Sequence, residues 1–313
     1  MVRLRRHSSH FDVELPAGDE FVVRIAEKPG RWMSAAELDA MVADARHVLS
    51  RAVPGGDLEY GIFTGDPERL ATCVLTIVRE RSTKRPIAFN AIALLPVTLR
   101  GREEEVLHLG LTIVDPDYRS RGLSWVVYGL TVLLVCAHRQ LRPLWISNVT
   151  QVPSAFGMVA DSFENVFPSP HPGTRRSYEH LAIARHIMRY HRHVFGVGPE
   201  AHFDQERFVI ENSYTGGSDN LKKTWDEAPK HRDEIHNEMC RAQLDYDRGD
   251  DFLQIGQFTL GAQRRFLLRS VPPRSLPAVL SNVAFLFVGS LLLPVLHWFS
   301  PGRPLGELRP WKG

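Results

Sequence analysis

Apolar positions follow two different periods along this chain. Phe21-Val-Val-Arg-Ile25 is a short strand-like run, and residues 1–20 before it read as a loose lead-in. From Ser34 to about Arg51 apolar residues recur at helical spacing. Ser34 with Glu37 three positions on forms a capping-box start, which predicts a helix that Val53-Pro-Gly-Gly56 ends. Three strand-like runs come next: Leu70 to Val78, Pro86 to Leu99 and Val106 to Val114. Short polar turns join them, so they predict an antiparallel meander. A long apolar helix from Trp125 to about Ala137 is then expected, followed by a buried strand Pro143–Ser147, a helix begun by Pro153 and a strand Phe163–Phe167.

The second half is less regular. Arg176 to about Val194 reads as a helix rich in histidine and arginine, Phe208–Glu211 as a strand, Tyr214–Asn220 as a turn-rich loop and Ile235–Leu244 as a helix. Phe252 to Leu268 returns to apolar character. Between Leu276 and Phe299 no charged residue occurs, about the ~20 residues that cross a bilayer. Arg264, Arg265, Arg269 and Arg274 flank it on one side, Arg303, Arg309 and Lys312 on the other, and Trp298 sits at an interfacial position. The heavier basic load on the N-terminal side places the main domain in the cytoplasm if this segment meets a membrane. Pro294 and Asn282 interrupt an ideal span, so a segment dipping into one leaflet, or a buried helix pair in a cytoplasmic protein, are the other readings.

Composition narrows the class. Hydrophobic content of 43% and charged content of 24% over 313 residues are those of a globular chain with an extension. A formal net charge of +2 gives no case for nucleic acid as partner. Cys73, Cys136 and Cys240 are far apart and read as reduced thiols. No apolar run follows the basic start, so no signal peptide is expected.

The richest chemistry lies at Leu111-Thr-Ile-Val-Asp-Pro-Asp-Tyr-Arg-Ser-Arg-Gly-Leu-Ser124. Strand formers stop at Asp115-Pro116, a basic loop with Gly122 follows, and an apolar helix begins. Backbone N–H groups of residues 119–124 and a helix N-terminus then converge on one point, suited to a pyrophosphate. Gly122 lets the main chain approach closely, and Arg119 and Arg121 add positive charge. Arg119-x-x-Gly122-x-Ser124 after a strand resembles the acyl-CoA-binding signature of the GNAT superfamily of N-acyltransferases, with serine in place of the last Gly or Ala. The order of elements over residues 20–170 is similar to that family's.

The resemblance implies a mixed α/β (α+β) fold: a GNAT-like central mixed sheet flanked by helices over 21–170. A C-terminal extension (171–275), the membrane-associating apolar helix (276–299) and a tail (300–313) would follow. It implies acetyl-CoA or a longer acyl-CoA as co-substrate, no metal, and a small-molecule or lipid acceptor. The cofactor-binding residues would be Ile113 and Val114, whose backbone pairs with the pantetheine arm, and Arg119, Ser120, Arg121, Gly122, Leu123 and Ser124. His108, on one strand face with Gly110 and Thr112, is the candidate base; a packed core histidine is the other reading. Glu103, Glu104 and Glu105 are runners-up, more naturally a solvated turn. Asn148 resembles the asparagine that often ends the family's fifth strand. The position of the family's usual tyrosine acid holds Met158, so Tyr128 or water is left as proton donor. That departure keeps open a second function, a catalytically inert CoA-sensing or scaffolding protein at a membrane.

Two further clusters carry less. His180, His186, His191 and His193 match no compact zinc spacing. Asp245-Tyr-Asp-Arg-Gly-Asp-Asp251 lacks the ligand order of a calcium loop and reads as a helix end, with Gly249 as cap. The Gly-Gly of Tyr214–Asp219 allows close ligand approach, or simply a turn.

Overall fold

The structure, a computed structural model, describes residues 3–262 apart from 8–9, 54–57, 120, 122, 124, 140–141 and 260. The apolar segment 276–299 and the positions Ser120, Gly122 and Ser124 lie outside the described residues. Among those described, no helix is long and apolar enough to cross a membrane.

The chain forms a large, mostly antiparallel sheet with helices on both faces. Its strands are β1 (Arg3–His7), β2 (His10–Ala17), β3 (Phe21–Glu27), β4 (Cys73–Glu80), β5 (Pro86–Leu99), β6 (Arg102–His108), β7 (Thr112–Val114), β8 (Leu144–Thr150), β9 (Glu164–Phe167), β10 (His202–Asp204), β11 (Val209–Glu211) and β12 (Asp251–Phe258). The order across the sheet is β1-β2-β3-β4-β5-β6-β8-β12-β11-β10, with β7 paired to β5 and β9 to β12. Among the described residues one pairing is parallel, β6 with β8. The 171–275 extension therefore shares the sheet with the core, because β12 lies against β8.

Strand alternation assigns the faces. Helices α3 (Thr131–His138), α4 (Pro153–Ser162) and α6 (Glu234–Gln243) cover one; α1 (Ala35–Ala52) and α5 (Tyr178–Tyr190) cover the other. On β5, Ile92 and Leu94 pack with Val127 and Val132 on the first face, while Phe89 meets Phe63 near α1 and Leu95 and Val97 join Ile183 and Ile187 of α5. A single turn, α2 (Pro67–Leu70), precedes β4.

Several expectations change. Residues 3–7 and 10–17 are strands rather than a lead-in: Phe11, Val13, Leu15 and Ala17 alternate with polar positions, and Asp12 is fixed by Arg24 at 2.9 Å across β2 and β3. The strand expected over Val106–Val114 is broken at 109–111. The helix expected from Trp125 starts as a π-helical turn, Trp125–Leu130, before α3. There the Thr131 hydroxyl back-bonds to the Val127 carbonyl at 2.8 Å and meets the Thr76 hydroxyl at 2.7 Å, so a polar group interrupts the helical ladder.

The C-terminal end of α3 is tied by buried charge. Glu27 is fully buried and meets Arg139 at 2.7 Å and His138 at 3.1 Å; Arg139 also reaches Glu105 at 2.6 Å. The Arg139 cation at that end also suits the helix dipole.

The capping box on α1 is present, with the Ser34 side chain on the Glu37 N–H and the Glu37 carboxylate returning to the Ser34 N–H at 3.1 Å. Ser34→Ala is expected to lower stability by about 1 kcal/mol, read as a lower urea midpoint with an unchanged slope.

Candidate functional site

The site begins where two parallel strands part. β6 and β8 pair through Val106–Trp145, Leu107–Ile146 and His108–Ser147, and the Leu109 N–H reaches the Ser147 carbonyl at 2.7 Å. Beyond this the chain kinks at Gly110, where a Cβ would overlap the Ala91 carbonyl oxygen, so only glycine permits this approach to β5. β7 then follows β5 (Ala88–Val114, Phe89–Ile113, Asn90–Thr112), while β8 continues beside β12. The result is a fork with its apex at His108 and Ser147.

Backbone alternation says which peptide groups face into the fork. The Leu111 carbonyl bonds the Ala91 N–H at 3.2 Å and the Asp115 N–H bonds the Ile87 carbonyl at 2.8 Å, so residues 111, 113 and 115 turn toward β5. The peptide groups of Thr112 and Val114 therefore face the fork. On the other arm the Ser147 carbonyl faces β6, which turns the peptide groups of Val149 into the fork as well. Ile113 directs its own peptide groups at β5, and its side chain is buried near α1.

The turn after β7 is tightly built. Asp115 is fully buried; its carboxylate accepts from the Asp117 N–H at 3.0 Å and pairs with Arg51 at 3.3 Å. Tyr118 is anchored by Glu80 at 3.0 Å, with the Arg121 guanidinium 4.9 Å above its ring. Arg119 and Arg121 are exposed, and Leu123 is buried in the core.

The three candidate catalytic side chains reach this region from two faces. His108 points to the α5 face, 3% exposed, with Nδ1 3.0 Å from the Ser147 hydroxyl and its ring stacked on Phe195 at 4.7 Å. Burial pushes its pKa down to about 3, so the imidazole is neutral. Tyr128, on the π-helical turn, comes from the opposite face and donates to the Gly110 carbonyl at 3.3 Å. Burial raises its phenol, opposed by the Thr112 hydroxyl. Asn148 donates to the Gln254 amide oxygen at 3.1 Å, and Gln254 in turn donates to the Phe156 carbonyl at 3.2 Å. Glu105 is occupied with Arg139 and Lys28, and Glu103 accepts from Thr98 at 3.0 Å. Met158 packs against the core beneath α4.

Sequence reasoning missed a second polar group on the His108 face. Asp251 is 3% exposed at the start of β12, one position beyond the Phe252–Thr150 pair and so level with Gln151. Its carboxylate accepts from the Tyr214 hydroxyl at 3.2 Å. Burial, aided by neighbouring Asp250, raises its pKa to about 7 against the hydrogen bonds from Ser213 and Tyr214. Burial, reinforced by the Asp251 charge, also pushes the Tyr60 and Tyr214 phenols up. Both side-chain atoms of Gln151 are buried without a hydrogen-bond partner among the described residues. The Gly216–Gly217 turn lies against Gly196 and Glu59, which closes this lobe beside Phe195. Asp251 and His108 stand four β8 positions apart on strands either side of β8, roughly 16 Å in all. In sequence Asp251 is one of several acids near a helix end; only its register against β8 brings it here.

No protein-family model matches the chain, and no curated protein does. Among solved structures it is similar to the ribosomal-protein-S5-alanine acetyltransferase of Vibrio fischeri, at 16% identity and a TM-score of 0.31, over 49% of this chain and 83% of that one. It is also similar to a conserved protein of unknown function from Enterococcus faecalis V583, described as a probable N-acyltransferase, at 12% identity and a TM-score of 0.33, over 76% of this chain and 66% of that one. Similarity at this level leaves substrate and mechanism to this chain's own geometry.

The raised Asp251 pKa has a signed consequence. A carboxyl whose folded pKa lies above its unfolded value contributes stability that is complete below about pH 4 and is lost as pH rises through about 7. Asp251→Asn removes that loss. Its melting temperature should exceed that of the wild type by several degrees at pH 8, with the gap closing toward pH 4 in a scanning-calorimetry series.

Proposed function

We propose that this protein is an acyl-CoA-dependent acyltransferase that moves an acyl group to an amine by direct attack on the thioester. The fork between β7 and β8 carries this reading. Its edges at Thr112, Val114 and Val149, without a strand partner among the described residues, offer strand-like partners to an extended arm bearing its own amides, which is the chemistry of pantetheine. The exposed Arg119 and Arg121 stand where β7 leads toward the first turn of the helix, a position suited to a pyrophosphate. Ser120, Gly122 and Ser124 would complete that cradle.

At the apex, His108 and Tyr128 approach from opposite faces. In this reading the neutral His108 imidazole takes the proton that the amine loses as its nitrogen bonds the carbonyl carbon. The C–S bond breaks, the sulfur leaves with the electron pair, and Tyr128, held protonated by its raised pKa, donates to it. Asn148 fixes the β8 arm through Gln254. The burial that keeps His108 neutral also weakens it as a base; Asp251, near neutrality on the same face, is the alternative proton acceptor if the thioester carbonyl lies beyond Val149 rather than at the apex. We place the reaction at the cytoplasmic side of a membrane on the strength of the apolar run 276–299 and its flanking arginines. The buried His108 and the Met158 substitution favour the second reading, a CoA-binding protein without turnover.

Calorimetric titration with acetyl-CoA and palmitoyl-CoA tests the cofactor site. Binding is expected for at least one thioester, weakened at least tenfold by Arg119→Glu with Arg121→Glu and abolished by Gly122→Glu; no binding to either thioester sinks the proposal. For turnover, His108→Ala should lower kcat at least a hundredfold with thioester affinity retained. The pH profile assigns the acceptor. His108 gives no ionisation between pH 5 and 9, whereas Asp251 gives an acid limb near pH 7 that Asp251→Asn removes.

A further inference from the structure

Away from the fork, on the face covered by α4 and α6, three histidines converge on one carboxylate. Asp161, in the last turn of α4, receives His171 Nε2 at 2.8 Å and His236 Nε2 at 3.1 Å on the same oxygen, with His231 Nε2 at 3.8 Å from the other. One ligand atom each from Asp161, His231 and His236 can be chosen so that all lie within 4.8 Å of one another. The His231 and His236 rings are 4.5 Å apart and nearly perpendicular, and His171 stands 5.3 Å from His236.

We infer that this cluster is a zinc site, with Asp161, His231 and His236 as the ligands already gathered and His171, bonded to the same carboxylate, as the fourth. Zinc bonded to nitrogen and oxygen at about 2.0–2.1 Å in a tetrahedron sets its ligand atoms about 3.3 Å apart. His171 and His236 Nε2 stand 2.8 and 3.1 Å from one Asp161 oxygen, close to that value, and His231 Nε2 stands 3.8 Å from the other. Three imidazoles and one carboxylate are a donor set for zinc rather than for magnesium or calcium, which take oxygen.

The surroundings are shaped to the rings. Gly157 lies one helical turn before Asp161, and a Cβ there would stand 2.7 Å from the His231 ring and 2.9 Å from that of His236. The His231 loop is held by Asn237, which accepts from the His231 N–H at 2.8 Å and donates to its carbonyl at 3.0 Å. His236 is fully buried against Phe156, and its Nδ1 has no hydrogen-bond partner among the described residues. The sequence spacing conceals all this, since the carboxylate comes from the core and the three histidines from the extension. Zinc would join them, tethering α6 to α4.

One contact sets the order of ligation. The Asp233 N–H donates to His231 Nδ1 at 3.1 Å, which leaves the ring proton on Nε2. Ligation through Nε2 moves that proton to Nδ1 and ends this contact. His231 is therefore the last ligand to engage, and its loss weakens the site without abolishing it.

The test uses the full-length protein. Elemental analysis after purification should find about one zinc per chain, and zinc returned to chelator-treated protein should raise its melting temperature by several degrees where magnesium and calcium do not. Cobalt(II) added to the chelated wild type should give the visible d–d bands of a four-coordinate site. Zinc content should fall at least fivefold in His236→Ala and Asp161→Asn, fall less in His231→Ala, and remain unchanged in His186→Ala. Absence of both cobalt bands and a zinc-dependent melting shift in the wild type would overturn the inference, leaving a carboxylate hydrogen-bonded by His171 and His236. The cobalt titration needs no variant to fold.

Discussion

Parallel pairing that stops after His108 and Ser147 governs the arrangement around it, because each strand must then find its backbone partners elsewhere. β7 leans onto β5, which requires the chain to cross the Ala91 carbonyl at Gly110 without a side chain. β8 leans onto β12, a strand some hundred residues later in the chain. Between them are backbone groups that the sheet leaves without a strand partner among the described residues. The charged tie from Glu27 to Arg139 and Glu105 holds the far end of α3 against the unsplit part of the sheet. The helix therefore stays in place where the strands below it diverge.

Much of this was legible in the sequence where the cause is local. The Ser34–Glu37 cap, the meander of β4, β5 and β6, and the proline start of α4 depend on neighbours within a few residues, and they fall where the pattern puts them. β2 was hidden because Pro16 and Gly18 resemble loop punctuation, although Phe11, Val13 and Leu15 keep a strict alternation. The break at 109–111 was hidden too: Leu109 and Leu111 continue the strand pattern, and only the divergence of β8 interrupts it.

The site was legible in part for the same reason. Tyr128 and His108 could be placed by periodicity, but that they meet the fork from opposite faces follows from sheet register. Asp251 reads in sequence as one acid among several beside Gly249. Its burial comes from Tyr214 and the turn beneath Phe195, contacts that span dozens of residues. The histidines of α5 drew attention as a dense local group, yet the convergent ones lie in two distant segments, at 171 and 231–236.

The position of β12 has a bearing on how the chain is made. Until residues 251–258 emerge from the ribosome, the outer edge of β8 has no partner, although everything from β1 to α4 is already available to fold. An apolar strand edge so exposed is a template for wrong pairing between chains. The nascent protein must pass through a stage in which its longest-range pairing is the one that shields its most vulnerable edge. Completion of the sheet is thus slow by topology, and interruption of synthesis before β12 would release a product that sticks to itself.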